Sequence, residues 1–367
     1  MSCQSRRPHT HPRGRHRLVL THAAAVLSAL AMWFGVTPST AHAIAPLSAE
    51  QQKIFYASPE DPPAKELLGV AEEFVGKHYL AGDEWNMELF LPHVSKLGGA
   101  YVGVGSDQSY LFMGWQRPEI VFQMDYDPWV VDLHAAYHVI FKAAESPDAF
   151  MAWWSKAKSA ELKTLLTTKL PEKKRDEIIR VVRMNKPNVR ARLVRLRATM
   201  KKRKIPCFLT DQAQYSFVRD MILAGRVRTL SANLLDDEGV VGIGAALKKL
   251  NIPVRLLYLS NAETYWKYSK QFRTNMWSLP FDEKSVVLRT TGSWSLNKDY
   301  RYYVQGVSLY HAWLKRPWVY KVHMMIQRRK LKDDKDVEIT VLKRDVTEVE
   351  ALREKRRKRA GRKKSKK

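Results

Sequence analysis

Gly98-Gly99-Ala100-Tyr101-Val102-Gly103-Val104-Gly105-Ser106-Asp107-Gln108, followed by Glu119-Ile120-Val121-Phe122-Gln123-Met124-Asp125-Tyr126-Asp127, reads as strand, glycine turn, helix and a second strand with an acidic end. A short apolar run enters glycines that let the backbone turn tightly, so the next helix starts with its amides toward a crevice. Asp125 follows Gly103 by about 20 positions, the interval at which a nucleotide-binding α/β fold sets a ribose-binding carboxylate.

Downstream segments extend the pattern. Arg226 to Asp237 reads as a strand with a polar end, Gly239 to Leu250 as a helix, and Ile252 to Leu259 as a strand running into Ser260-Asn261-Ala262-Glu263. Strand, helix and strand at this spacing predict parallel pairing through crossovers. Ser285 to Thr290 and Tyr302 to Tyr310 alternate as closing strands, expected as an antiparallel edge pair. Asp127-Pro128 is a helix start, an Asp cap followed by Pro in the first turn. From about 146 to 204 the chain shows only helical patterns of rising basicity, an insertion into the α/β order, after which Ile205 to Leu209 returns to the core. Lys65 to Tyr79 has helical periodicity, and Asp83 to Leu89 begins a short helix. The proline-bearing segment before Lys65 reads as a linker, so residues 44–85 form a linker and helix ahead of an α/β domain at 86–345.

The formal net charge of +26 is unevenly placed. Five arginines precede Leu18; Lys173 to Lys204 holds fourteen basic residues against Asp176 and Glu177, and the end from Ala351 eleven against Glu354. The remaining chain is close to neutral. Residues 346–367 are expected to be a disordered basic tail that contacts anionic surfaces or polymers by charge neutralisation.

The first 43 residues join an arginine-rich start, an apolar run from Leu18 to Phe34 and Ala41-His42-Ala43, the pattern of a secretory signal cut near Ala43. The expected mature protein is periplasmic or extracellular and has no transmembrane segment. Cleavage removes Cys3 and leaves Cys207, read as a small buried apolar residue. No metal site is expected; His134 and His138, one helical turn apart, lack the Glu of a zinc-protease pattern. Trp153-Trp154, Trp266 and Trp277 suit stacking on a base or sugar, although helical spacing favours core or interface.

In a parallel α/β sheet the ligand crevice lies at the carboxyl ends of the strands. The candidate ligand-binding residues are therefore Gly103, Gly105, Asp107, Gln108, Asp125, Asn233, Asp236, Ser260, Asn261 and Glu263. Asp127, Asp236 and Ser260 also suit helix caps.

Tyr101-Val102-Gly103-Val104-Gly105-Ser106-Asp107-Gln108-Ser109-Tyr110, Arg117-Pro118, the acidic strand, Tyr258-Leu259-Ser260-Asn261-Ala262-Glu263, Asn275, Leu279-Pro280 and Arg289 together resemble a bacterial family known for a Leptospira protein. That protein looks like a class I S-adenosylmethionine methyltransferase. The resemblance spans about Asn86 to Arg289 and implies a Rossmann-like, mostly parallel sheet. It also implies S-adenosylmethionine as a candidate cofactor, with Asp125 at the ribose hydroxyls and Asp236 or Asp237 near the reacting group. Two positions depart from the methyltransferase pattern: Tyr101 stands where an acidic residue is usual, and Asp107 where a third glycine is usual. Two functions remain open: an enzyme or relic of one that holds a small polar or nucleotide-like ligand, and an envelope scaffold whose basic segments contact anionic partners.

Overall fold

The computed structural model describes residues 44–62, 76–337 and 339–364. In chain order it contains α1 (Ala49–Tyr56), α2 (Leu91–Val94), β1 (Ala100–Gly103), α3 (Gln108–Gln116), β2 (Ile120–Asp125), α4 (Pro128–Ala143) and α5 (Pro147–Trp153). There follow α6 (Ser159–Lys169), α7 (Glu172–Arg203), α8 (Gln212–Leu223), β3 (Val227–Ser231), α9 (Gly239–Leu250), β4 (Val254–Tyr258), α10 (Lys270–Ser278) and β5 (Val286–Gly292). The chain ends with α11 (Trp294–Asn297), β6 (Tyr300–Gly306), α12 (Val307–Leu314), β7 (Ile339–Leu342) and α13 (Val346–Lys364).

The seven strands form one sheet in the order β3-β2-β1-β4-β5-β6-β7. Strands β1 to β5 run parallel, β6 is antiparallel to β5, and β7 is parallel to β6. The chain leaves β1 toward β2 and β3, then crosses back to β4 on the other side, so the order reverses between β1 and β4. Such a reversal opens a crevice at the carboxyl ends.

Both sheet faces are covered, and the strands alternate between them with period two. Tyr101, Val121, Leu256, Tyr258 and Leu288 join the core that also receives α3, α4 and the helices from α5 to α8. Ala100, Val102, Phe122, Leu230, Leu257 and Val287 join the opposite core with α1, α9, α10 and α12. Burying a Leu, Val or Phe side chain contributes about 1.5–3 kcal/mol, so these two layers hold the sheet.

The expected helical insertion is α5, α6 and the 32-residue α7. Ile178, Val181, Val182, Val189, Leu193, Leu196 and Met200 give α7 an apolar stripe, which seats it against the rest of the domain although Pro187 lies inside it. Ile205 to Leu209 returns to the core as expected, in a turn tied by Thr210 to Cys207 that buries Cys207, Phe208 and Leu209. Three expectations are corrected. Ser48 caps α1 through a capping box and Phe55 buries it, so the proline-flanked arm is not wholly a linker. The last closing strand ends at Gly306, where the chain turns into α12, because Tyr310, Trp313 and Leu314 bury one helical face. The antiparallel pair is not an edge, since β7 covers β6.

Most of the helix expected over Lys65 to Tyr79 lies outside the described residues, as does the signal segment. The short helix expected from Asp83 begins later, as a single turn over Met87–Phe90 leading into α2. Val346 docks the basic end, with Glu350 bound to Trp318 and Arg316 and Arg353 over the Trp318 ring at 4.3 Å. From Glu354 to Lys358 every side chain is exposed, so no tertiary packing supports this part of α13. Among the described residues no helix is long and apolar enough to cross a membrane.

Candidate functional site

Because β1 to β5 point the same way, their carboxyl ends meet at one edge. A cavity of about 690 Å³ opens there. Its floor comes from Val104, Gly105 and Ser106 after β1, Asp125 to Asp127 at the end of β2, and Ala232 to Leu234 after β3. Ser260 to Ala262 after β4 and Thr291 and Gly292 at the end of β5 continue it. Lys77, Tyr79 and Ala81 to Asp83, together with Tyr265, Trp266, Trp294, Tyr300, His323 and Arg328, complete its walls. The volume suits a ligand of nucleoside size or larger.

Asp125 lines this cavity half-buried. One oxygen accepts from the Gly105 amide at 3.0 Å and the other from the Asp127 amide at 3.0 Å. Burial pushes its pKa up to about 7, aided by the Asp127 charge, while the Asp127, Gly105 and Tyr126 amides pull it back. Asp127 caps α4 through the Trp129 amide and meets His78 at 2.9 Å. Burial raises its pKa as well, with His78 opposing.

A second carboxyl, Asp83, stands on the strap that crosses the edge. Its Oδ2 accepts from the Tyr300 hydroxyl at 2.8 Å, and burial with the adjacent Glu84 pushes its pKa up to about 6. Glu84 itself is 1 % exposed and gathers the edge together. It accepts from Gln108 Nε2 at 2.7 Å, the Tyr258 hydroxyl at 2.8 Å and Ser260 Oγ at 2.6 Å. Both stretches that carried the family resemblance thus converge on one carboxylate from a third.

His134 fixes the glycine turn from below. Its Nε2 lies 2.9 Å from the Gly105 carbonyl and its Nδ1 2.8 Å from the Tyr110 hydroxyl. A carbonyl only accepts, so Nε2 carries the proton and Nδ1 takes the Tyr110 hydrogen. Burial lowers its pKa to about 4, so the ring is neutral. His138 is bonded to Gln123 at 2.9 Å, and among the described residues no group of His, Cys, Asp or Glu could hold a metal ion. Trp266 lines the cavity, Trp154 is buried and Trp277 is exposed.

Of the ten candidate residues, Gly105, Gln108, Asp125, Asn233, Ser260 and Asn261 line the cavity, and the other four do not. Gly103 is a strand residue whose side-chain space is filled by the Tyr101 ring. Asp107 is wholly buried, accepting from the Gly82 amide at 2.7 Å and from Arg192 Nε of α7 at 2.9 Å. Asp236 is exposed in the turn before α9 and accepts from Asn233 Nδ2 at 3.1 Å. Glu263 is 2 % exposed and pairs with buried Arg289 at 2.7 Å, with hydroxyls of Tyr268 and Tyr310 on its other oxygen. Asp107 and Glu263 each neutralise a buried guanidinium, and such a pair closes the fold rather than facing a cavity.

The sequence reading missed Asp83, Glu84, Tyr300, His323 and Arg328. The adjacent carboxylates of Asp83-Glu84 were a signal for the first two. Arg328 gave none, since it sits among basic residues in a stretch without periodicity.

The fold and the site define a class: α/β proteins with a mostly parallel sheet and a cavity at its topological switch point. Residues 79–349 match the family described as a domain of unknown function (DUF7790), and the chain belongs to that family. No curated protein matches the chain.

Proposed function

We propose that this domain binds a small polar, nucleoside-like ligand at the carboxyl edge of the sheet, with Asp125 meeting the hydroxyls of a ribose-like diol. The carrying observation is Asp125 itself. It is a half-buried carboxyl bordering the cavity, with backbone donors on both oxygens and no cationic partner among the described residues. A carboxylate offers about four acceptor positions, so capacity is left for a ligand hydroxyl. Tyr126, Tyr265 and Trp266 border the same space and offer faces on which a base can stack.

A methyltransferase-like activity is the finer form of this reading, with S-adenosylmethionine as ligand. The departures at Tyr101 and Asp107 fall on the cofactor turn and favour another nucleoside-like molecule. Export agrees with that preference, because S-adenosylmethionine and NAD are scarce outside the cytoplasm. We place the mature protein in the periplasm or beyond it, cut near Ala43, on the basis of the residues from Arg6 to Ala43. N-terminal sequencing of exported protein tests this; an intact Met1 end in a membrane fraction refutes it.

The ligand is tested by thermal shift with adenosine, S-adenosylmethionine and S-adenosylhomocysteine. A ligand at a hundredfold excess over its Kd stabilises by about 2.7 kcal/mol, a readily measured rise in Tm. Asp125→Ala is expected to remove the shift and remain folded. Absence of a shift with every nucleoside overturns the reading. It favours the scaffold alternative, in which the basic end binds anionic surfaces.

A further inference from the structure

We infer that the β4 side of the cavity is an anion subsite, where Arg328 pairs with a carboxylate or phosphate group of the ligand. The inference rests on the cavity being a ligand site, and it adds a second recognition element across the switch point from Asp125.

The usual anion positions of such a fold are already filled by the chain. At the turn into α3, the Gly105 amide is bound by Asp125, the Ser106 amide by Gln108 Oε1 at 3.2 Å, and buried Asp107 stands at the helix start. Asp127 caps α4. Asp61 accepts from the Glu238 and Gly239 amides at the start of α9, at 3.1 and 2.9 Å. A phosphate approaching any of these starts meets a carboxylate where other α/β proteins present free amides.

Arg328 offers the opposite. It borders the cavity, and its Nη2 donates to His323 Nδ1 at 2.8 Å. That nitrogen can accept only if it carries no proton. Burial and the nearby Arg328 and Lys321 charges lower the His323 pKa, in keeping with a neutral ring. Among the described residues no carboxylate pairs with Arg328, whereas the next residue, Arg329, holds Asp336 through two bonds of 2.6 Å. The turn Val322–Met324 that carries His323 packs on the turn Ala262–Thr264 after β4, which sets this guanidinium on the β4 side. A planar guanidinium with one nitrogen held by a neutral imidazole suits bidentate capture of an oxyanion.

The test compares adenosine, AMP and adenosine 5′-carboxylate by calorimetry at low salt, with inorganic phosphate and acetate as free anions in thermal shift at constant ionic strength. Wild-type protein is expected to bind at least one of the charged nucleosides about tenfold more tightly than adenosine. The choice between phosphate and carboxylate identifies the group. Arg328→Ala is expected to bring the charged ligands to the adenosine level while adenosine binding and Tm stay unchanged, and Arg328→Lys to recover only part. If no nucleoside binds but phosphate or acetate raises Tm only when Arg328 is present, the anion subsite stands and the nucleoside reading falls. Equal binding of charged and neutral nucleosides, or an equal loss of all three in Arg328→Ala, overturns the inference. So does a free-anion shift that survives Arg328→Ala, or the absence of any anion effect.

Discussion

On the β1 to β3 half of the carboxyl edge, the chain's own carboxylates close the helix starts, and the acid beside the glycine turn is clamped by a guanidinium from the helical insertion. Arg192 reaches from α7 to Asp107, and its Nη1 also donates to the Glu84 carbonyl at 2.8 Å. On the β4 to β5 half, Arg328 borders the cavity with only a neutral ring on it, and Asp83 is held by a tyrosine hydroxyl. The difference separates acids that complete the fold from acids that border a cavity. Asp107 and Glu263 have buried arginines; Asp83 and Asp125 have none, and desolvation drives their pKa values to about 6 and about 7. Charge partners, more than position at a strand end, distinguish the two kinds.

The largest effect is expected from breaking the clamp. Arg192→Met leaves Asp107 buried without its cation, a loss of about 3–5 kcal/mol. Thermal melts check it: the single variant melts far below wild type, and adding Asp107→Asn recovers part of the difference. A melting temperature unchanged in the single variant means the clamp does not hold the turn.

Asp125 sharpens the other side of the comparison. Its folded pKa is raised, so its contribution is complete below about pH 4 and is lost as pH climbs through about 7. Asp125→Asn cannot ionise. It is expected to flatten the stability profile between pH 5 and pH 8 by about 2.7 kcal/mol, counted from roughly two units of unfavourable ionisation. Denaturant unfolding at both pH values measures this; parallel profiles for variant and wild type refute it. Any loss from the backbone bond that Asn cannot accept is constant with pH and leaves the slope readable.

Beneath the turn, His134→Phe removes the donor to the Gly105 carbonyl and the acceptor for Tyr110. It is expected to cost about 1–2 kcal/mol and to speed amide exchange around Gly105. Unchanged exchange means that the turn is held by Asp125 and Gln108 without help from His134.

The smallest stability effect is expected at the far end. Deleting residues 354–367 removes ten cations and keeps Arg353 on Trp318. Tm is expected to shift by under about 0.5 kcal/mol equivalent. Retention on heparin or anionic vesicles at low salt is expected to be lost, through lost counterion release. Retention that persists at high salt contradicts an electrostatic tail.

What the sequence determined by itself is what local patterning encodes. The turn at Gly103 to Gly105, the acidic end at Asp125, the helix Gly239–Leu250 and the helical insertion were all legible, because glycine, cap residues and apolar period act over a few neighbours. The chain direction of β1 to β4 followed from their spacing, and with it the edge at which Asp125, Asn233 and Asn261 meet. The tertiary structure alone decided how each polar residue at that edge is used. Asp107 and Asp125 look equivalent in the sequence, yet one meets Arg192 from 85 residues away and the other meets only amides. Glu84 likewise finds Ser260 across 176 residues, and the cavity receives Arg328 from a segment without periodicity. A buried charge must be neutralised by whatever the fold brings within a few ångströms, and that partner is set by long-range packing that no local pattern records.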